Sequence, residues 1–116
     1  MKTLFMVNQP PYGTEYAFNA LRLANTLSHR DDQEVRLFLQ GNAVLCAKKG
    51  QEVPKGFYNL ERMLKIARSR DVQVGACSTC MDARGLTDEE LADGPERSTM
   101  EELADWTIWA DKVLVF

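Results

Sequence analysis

The sequence predicts an α/β fold: a three-layer sandwich in which a mostly parallel sheet of four to five strands carries helices on both faces. Two observations predict it. Four short runs are nearly continuous in Val, Leu and Phe, the signature of strands covered on both faces. Between them apolar residues recur at helical spacing, so strands alternate with helices. A length of 116 residues suits one core, and no linker, repeat or low-complexity tract interrupts it. Residues 1–116 therefore read as a single domain.

Taken in order, the first strand is Thr3–Val7, and a helix opens at Thr14 with Ala17, Ala20, Leu21, Ala24 and Leu27 as its apolar stripe. Val35–Leu39 is the second strand. Ala43–Ala47 reads as a short helix whose apolar face takes Cys46 into the core. The stretch Gln51–Phe57, with Pro54 and Gly56, is a loop. Leu60, Met63, Leu64 and Ala67 mark the next helix, and Val72–Ala76 is the third strand. Thr87 and Glu90 have the spacing of a capping box for a shorter helix. Ser98 and Glu101 repeat it ahead of a stripe through Met100, Leu103, Ala104 and Thr107. Val113–Phe116 is the last strand. The runs Asp88-Glu89-Glu90 and Glu101-Glu102 fall in first turns, where acids complement the helix dipole, and so read as helix starts. Trp106 and Trp109 read as core or subunit interface.

Composition narrows the function. With 45% hydrophobic and 27% charged residues the chain has the makeup of an ordinary globular protein. Fourteen basic against 17 acidic residues give a net charge of −3, and no basic cluster exceeds Lys48-Lys49. Nucleic acid and membrane are therefore not expected as direct partners. The apolar run Leu4–Val7 is far shorter than the core of a signal peptide, and the expected location is the cytoplasm. Thiols stay reduced there, so three cysteines do not suggest a disulfide framework. A C-x-x-C pair in that setting reads as catalytic, redox or metal-binding.

That pair is Cys77-Ser78-Thr79-Cys80, placed where the third strand ends and a helical turn begins. Backbone N–H groups at a helix start favour negative charge, so Cys77 is placed to become a thiolate and to act as a nucleophile. Cys80, one turn on, reads either as a resolving or sulfur-receiving thiol or as an inward-facing small residue. Zinc would want four ligands, and the chain offers one C-x-x-C and a single histidine, His29, which suits a helix end. No metal is expected. In a parallel sheet all carboxyl ends share one edge, so Asn8–Gly13, Gln40–Asn42 and Cys77–Cys80 should converge there. The candidate substrate-binding residues are thus Asn8, Tyr12, Gly13, Gly41 and Arg84. Asn8–Gly13 reads equally as a turn with a threonine cap, and Arg84 as a packed or solvated residue ahead of Gly85. No nucleotide fingerprint is present, and none of this chemistry requires an organic cofactor.

A set of residues in order along the whole chain resembles the DsrE/DsrF-like family, particularly its YchN-like branch. They are Pro11-Tyr12-Gly13, Arg36-Leu37-Phe38-Leu39, Gly50-Gln51, Gly56-Phe57-Tyr58-Asn59, Cys77-Ser78-Thr79-Cys80 through Arg84-Gly85, Trp106-Thr107, and Ala110 through Phe116. The resemblance implies a small α/β domain assembling into trimers or hexamers. In sulfur-relay members, a cysteine eight residues before the glycine of an arginine-glycine pair holds sulfane sulfur as a persulfide. Cys77 stands at that spacing from Gly85. Cys80 departs from the sulfur-relay pattern, where a small non-thiol residue often stands.

These readings lead to a small cytoplasmic sulfur carrier or sulfurtransferase-like protein with a persulfide on Cys77. Its partners would be sulfur-donor and sulfur-acceptor proteins or small thiols. Two alternatives remain open from the sequence. One is a thiol redox or sensing module cycling a Cys77–Cys80 disulfide, and the other a non-catalytic oligomeric protein binding a small ligand.

Overall fold

A computed structural model describes residues 1–116. Five strands, β1 (Lys2–Val7), β2 (Glu34–Leu39), β3 (Gln73–Cys77), β4 (Glu96–Ser98) and β5 (Lys112–Val115), form one sheet in the order β4-β3-β2-β1-β5. Every neighbouring pair is parallel. Helices α1 (Tyr16–Ser28), α2 (Leu60–Ser69), α3 (Ser78–Ala83) and α4 (Met100–Trp109) connect them, with a 3₁₀ segment at Gly41–Ala47. The α/β sandwich expected from the sequence is the fold observed, with a fully parallel five-stranded sheet.

The strands are apolar throughout because both faces are covered. Phe5, Val7, Val35, Leu37 and Leu39 enter one core with α1, α2 and Cys46. Leu4 and Phe38 enter a second core with Cys77, Met81, Leu103 and Trp106. The topology explains why α4 lies on the second face. From β1 to β3 each new strand is added on the same side, whereas β5 returns to the opposite flank of β1. With right-handed crossovers, that reversal sends α4 to the other face.

The structure corrects several local expectations. Residues Glu96–Ser98 form an edge strand that no apolar run announced. Ser98 therefore lies in β4, and the cap of α4 is Thr99, whose side chain accepts the Glu102 N–H at 3.2 Å. Ser98 Oγ instead meets Glu102 Oε1 at 2.5 Å. Helix α1 begins at Tyr16, not Thr14, whose hydroxyl is buried without a hydrogen-bond partner. The Thr87–Glu90 signature is realised, with the Thr87 N–H donating to Glu90 Oε1 at 3.0 Å, but it opens only a 3₁₀ turn, Asp88–Glu90.

On α4 the buried residues are Leu103 and Trp106, while Met100, Ala104 and Thr107 face out. The largest side chain decides that rotation. Trp106 stands edge-on to Phe38 with ring centroids 6.1 Å apart, and docking it turns the lighter stripe to the surface. Trp109 is half-buried under the Arg36 guanidinium, 4.0 Å from its ring centre. No helix is long and apolar enough to cross a membrane.

Candidate functional site

Cys77 is the last residue of β3 and occupies the N-cap position of α3. Strand and helix thus meet at the residue that bears the thiol. Its side chain is 5% exposed and packs in the second core, against the face that α4 covers. Sγ lies 3.3 Å from the Thr79 hydroxyl. Burial pushes the Cys77 thiol up, but the nearby Cys80 thiol, the Thr79 hydroxyl and the Cys80 and Thr79 backbone N–H groups outweigh it. The thiol therefore ionises below its ordinary value.

Cys80 behaves in the opposite way. It is half-buried, and burial together with the neighbouring Cys77 thiol raises its own, while the Gly41 N–H works against both. That N–H donates to Cys80 Sγ at 3.2 Å. The pair is therefore unequal: the Cys77 sulfur is shifted toward the thiolate and the Cys80 sulfur toward the protonated thiol. Cys46, by contrast, lies wholly in the first core, and burial pushes its thiol up to about 12. It is packing, not chemistry.

Contacts link these sulfurs to the expected neighbours along the carboxyl edge of the sheet. Gln40 Nε2 donates to Asn8 Oδ1 at 2.8 Å, and the Asn8 N–H reaches the Phe116 carbonyl at 2.9 Å. Cys80, Gly41, Gln40 and Asn8 therefore form one continuous row across β3, β2 and β1. Arg84 joins the row from below. Its guanidinium holds Asn42 Oδ1 through Nε at 3.1 Å and Nη2 at 2.9 Å, and the Cys80 carbonyl through Nη1 at 3.0 Å. In these contacts Arg84 is a clamp between α3 and the 3₁₀ segment.

Tyr12 is engaged elsewhere. Its hydroxyl donates to Gln51 Oε1 at 2.5 Å and accepts the Leu60 N–H at 3.1 Å, and its ring stacks on Tyr58. These bonds tie the β1–α1 loop to the start of α2, on the first core's side. Gly13 is an exposed turn residue with open space around its Cα. No contact joins either residue to the thiols.

One residue beside the thiols escaped the sequence reading. Arg97, on the edge strand β4, directs Nη1 to Ser78 Oγ at 2.7 Å and to Asp82 Oδ1 at 3.0 Å. Its Nε donates to Asp88 Oδ1 at 2.5 Å. The only signal available was its place in a short polar stretch, Glu96-Arg97-Ser98, which carries no strand pattern of its own.

The sequence profile of the DsrE/DsrF-like family matches residues 1–116. Protein YchN of Escherichia coli strain K12 is 44% identical over 116 residues, covering 99% of this chain and 98% of that protein. The uncharacterized protein MJ0989 of Methanocaldococcus jannaschii is 37% identical over 116 residues, with both chains covered in full at 100%. The crystal structure of the YchN protein superimposes with a TM-score of 0.93, covering 99% of this chain and 98% of that one. At 12% identity, MTH1491 of Methanobacterium thermoautotrophicum, a protein of unknown function, shares the fold with a TM-score of 0.74.

Proposed function

We propose that this chain, which belongs to the DsrE/DsrF-like family, is a sulfur carrier that holds sulfane sulfur as a persulfide on Cys77. The family is associated with sulfur relay. The observation that carries the reading for this chain is the place of Cys77 at the end of β3 and the start of α3, with the Thr79 hydroxyl 3.3 Å from its sulfur. Those surroundings lower the thiol, and the thiolate is the form that attacks sulfur.

In that reaction the Cys77 thiolate attacks the terminal sulfur of a donor persulfide. A sulfur–sulfur bond forms to Cys77 as the donor's own sulfur–sulfur bond breaks, and the donor thiolate leaves and takes a proton. An acceptor thiolate later attacks the outer sulfur, and Cys77 departs as thiolate. No net oxidation occurs, so no redox cofactor is required. The acceptor is a cysteine of a partner protein, a small thiol, or Cys80 itself. We read the location as cytoplasmic, where thiols remain reduced.

The partner chemistry includes further copies of this chain. Met100, Ile108, Val113 and Val115 are exposed on α4 and the edge strand β5, with Ile108 84% exposed. An apolar patch beside an unpaired strand edge supports a homo-oligomer, in line with the trimers or hexamers that the resemblance implies.

Intact-protein mass spectrometry after incubation with a sulfane-sulfur donor tests the proposal. One added sulfur that disappears in Cys77→Ser and survives in Cys80→Ser is the expected result. Loading retained on Cys77→Ser would sink it. The second reading, a redox or sensing pair, is favoured by the closeness of the two thiols, each of which shifts the other's ionisation. It requires loss of two hydrogens on treatment with a peroxide, dependent on both cysteines, with no sulfur gained.

A further inference from the structure

The helix that follows Cys77 cannot hold its own shape. At six residues, Ser78–Ala83, α3 is far below the length at which helices persist alone, and no side-chain hydrogen bond caps its start. Yet the Thr79 hydroxyl, 3.3 Å from Cys77 Sγ, and Cys80, whose thiol lowers that of Cys77, both belong to its first turn. Something outside α3 must therefore fix that turn against the end of β3.

Two arginines meet it from opposite sides. Arg84 grips the Cys80 carbonyl and Asn42 on the side of the 3₁₀ segment. Arg97 reaches over from β4 and bonds both ends of the helix, Ser78 in its first turn and Asp82 in its last. The same nitrogen lies 3.4 Å from the Ser78 carbonyl, and Nε is anchored on Asp88 in the neighbouring turn. A planar fork can satisfy several acceptors at fixed angles, which a point charge cannot. The register of the sheet sets the reach: Ser98 pairs with Cys77 and Arg97 with Ala76, so β4 delivers Arg97 beside the strand end that carries the thiol.

We infer that Arg97 is a positioning residue for Cys77, acting through Ser78 to hold the first turn of α3 where its donors face the sulfur. Its charge is balanced by Asp82 and Asp88, both within hydrogen-bond distance. The effect on Cys77 is therefore one of geometry more than of field. Ser78 is the link: it follows Cys77 directly in the chain, and Thr79 and Cys80 follow it. The inference deepens the sulfur-carrier reading and rests on it for its purpose, but not for its test.

The test is the pH profile of Cys77 alkylation by iodoacetamide in the full chain, with peptide fragmentation separating Cys77 from Cys80. For Arg97→Gln the midpoint moves up and the rate at about pH 7 falls about threefold or more, the weight of one weakened hydrogen bond. The plateau rate at high pH stays at the parent level. Arg97→Lys, which keeps the charge but replaces the planar fork by a single ammonium nitrogen, recovers part of the shift. A profile for folded Arg97→Gln that superimposes on the parent overturns the inference, even if the variant melts lower, since a surface clamp alone moves stability and not the midpoint. Should Arg97→Gln fail to fold, Ser78→Ala decides: a midpoint moved upward supports the link, and an unmoved one overturns it. Alkylation needs no sulfur donor, so failure of persulfide loading and failure of this inference are separate outcomes.

Discussion

The backbone N–H of Gly41 donates to Sγ of Cys80 at 3.2 Å, joining residues 39 positions apart in the chain. This contact makes Cys80 part of the edge shared by β2 and β3, not merely the next turn after Cys77. It also separates the surroundings of the two sulfurs: Cys80 Sγ accepts from the Gly41 N–H, whereas Cys77 Sγ lies 3.3 Å from the Thr79 hydroxyl.

Removing the Cys80 thiol should make Cys77 harder to ionise. Cys80→Ala takes away the thiol that stabilises the Cys77 thiolate, and the Cys77 thiol moves back up toward its ordinary value. Alkylation of Cys77 at about pH 7 is expected to slow about fivefold, the equivalent of one hydrogen bond. A rate equal to the parent's would show that Cys80 contributes nothing to activation.

Gly41 itself sits at φ +57°, the left-handed region, and a Cβ there would come within 3.5 Å of the Asn8 carbonyl. Contact is tolerable, but the backbone conformation is not free for other residues. Gly41→Ala should lower stability by about 1–2 kcal/mol, read from urea unfolding. No loss would mean that the segment readily adopts another backbone path.

Gly75 is constrained by space instead. A Cβ on it would lie 3.0 Å from Ser98 Cβ and 3.1 Å from Phe38 Cδ2, between β4 and the second core. Gly75→Ala is expected to cost about 1–3 kcal/mol by overpacking. Because the strain falls on β4, the same variant should also raise the Cys77 alkylation midpoint through Arg97. Full stability with a parent-like midpoint would contradict both expectations.

Cys46 makes a prediction in alkaline solution. Its thiol is raised from 9.0 to about 12 by burial, so the folded state binds a proton that the unfolded chain releases. Its contribution is complete below about pH 9 and is lost as pH rises toward about 12, at about 1.4 kcal/mol per pH unit. Comparing urea unfolding of the parent with Cys46→Ala across that range isolates this slope. Parallel curves would show that the site opens to water.

The apolar patch of α4 and β5 offers a fifth test. Ile108→Glu places a charge on a residue that is 84% exposed in the single chain. Light scattering should report a smaller particle than the parent if the patch is buried between copies. An unchanged mass would move the interface elsewhere.

Much of this molecule was legible in its sequence because the strands of a parallel sheet are buried on both faces and must be apolar. β1, β2, β3 and β5 were all readable within a residue or two, and so was the helical stripe of α2. The thiol pair was legible too, since its position after an apolar run is a statement about local order along the chain. β4 was not legible. An edge strand of three residues needs no apolar side chains, and it exists because β3 offers it hydrogen bonds. The rotation of α4 was hidden for a similar reason: Met100, Ala104 and Thr107 have helical spacing as good as that of Leu103 and Trp106, and only the contact with Phe38 selects between them.

The sequence by itself thus determined the layers, the sites of strand ends, and the placing of Cys77 where a strand gives way to a helix. These follow from periodicity and from local backbone preference. The tertiary structure alone decided what surrounds the thiol: Gly41 on Cys80, Arg84 on Asn42, and Arg97 on Ser78. The physical reason is that each is a bond between segments at least 19 residues apart, whose meeting depends on strand order and register. Neither residue of such a pair carries a mark of the other until the sheet brings them together.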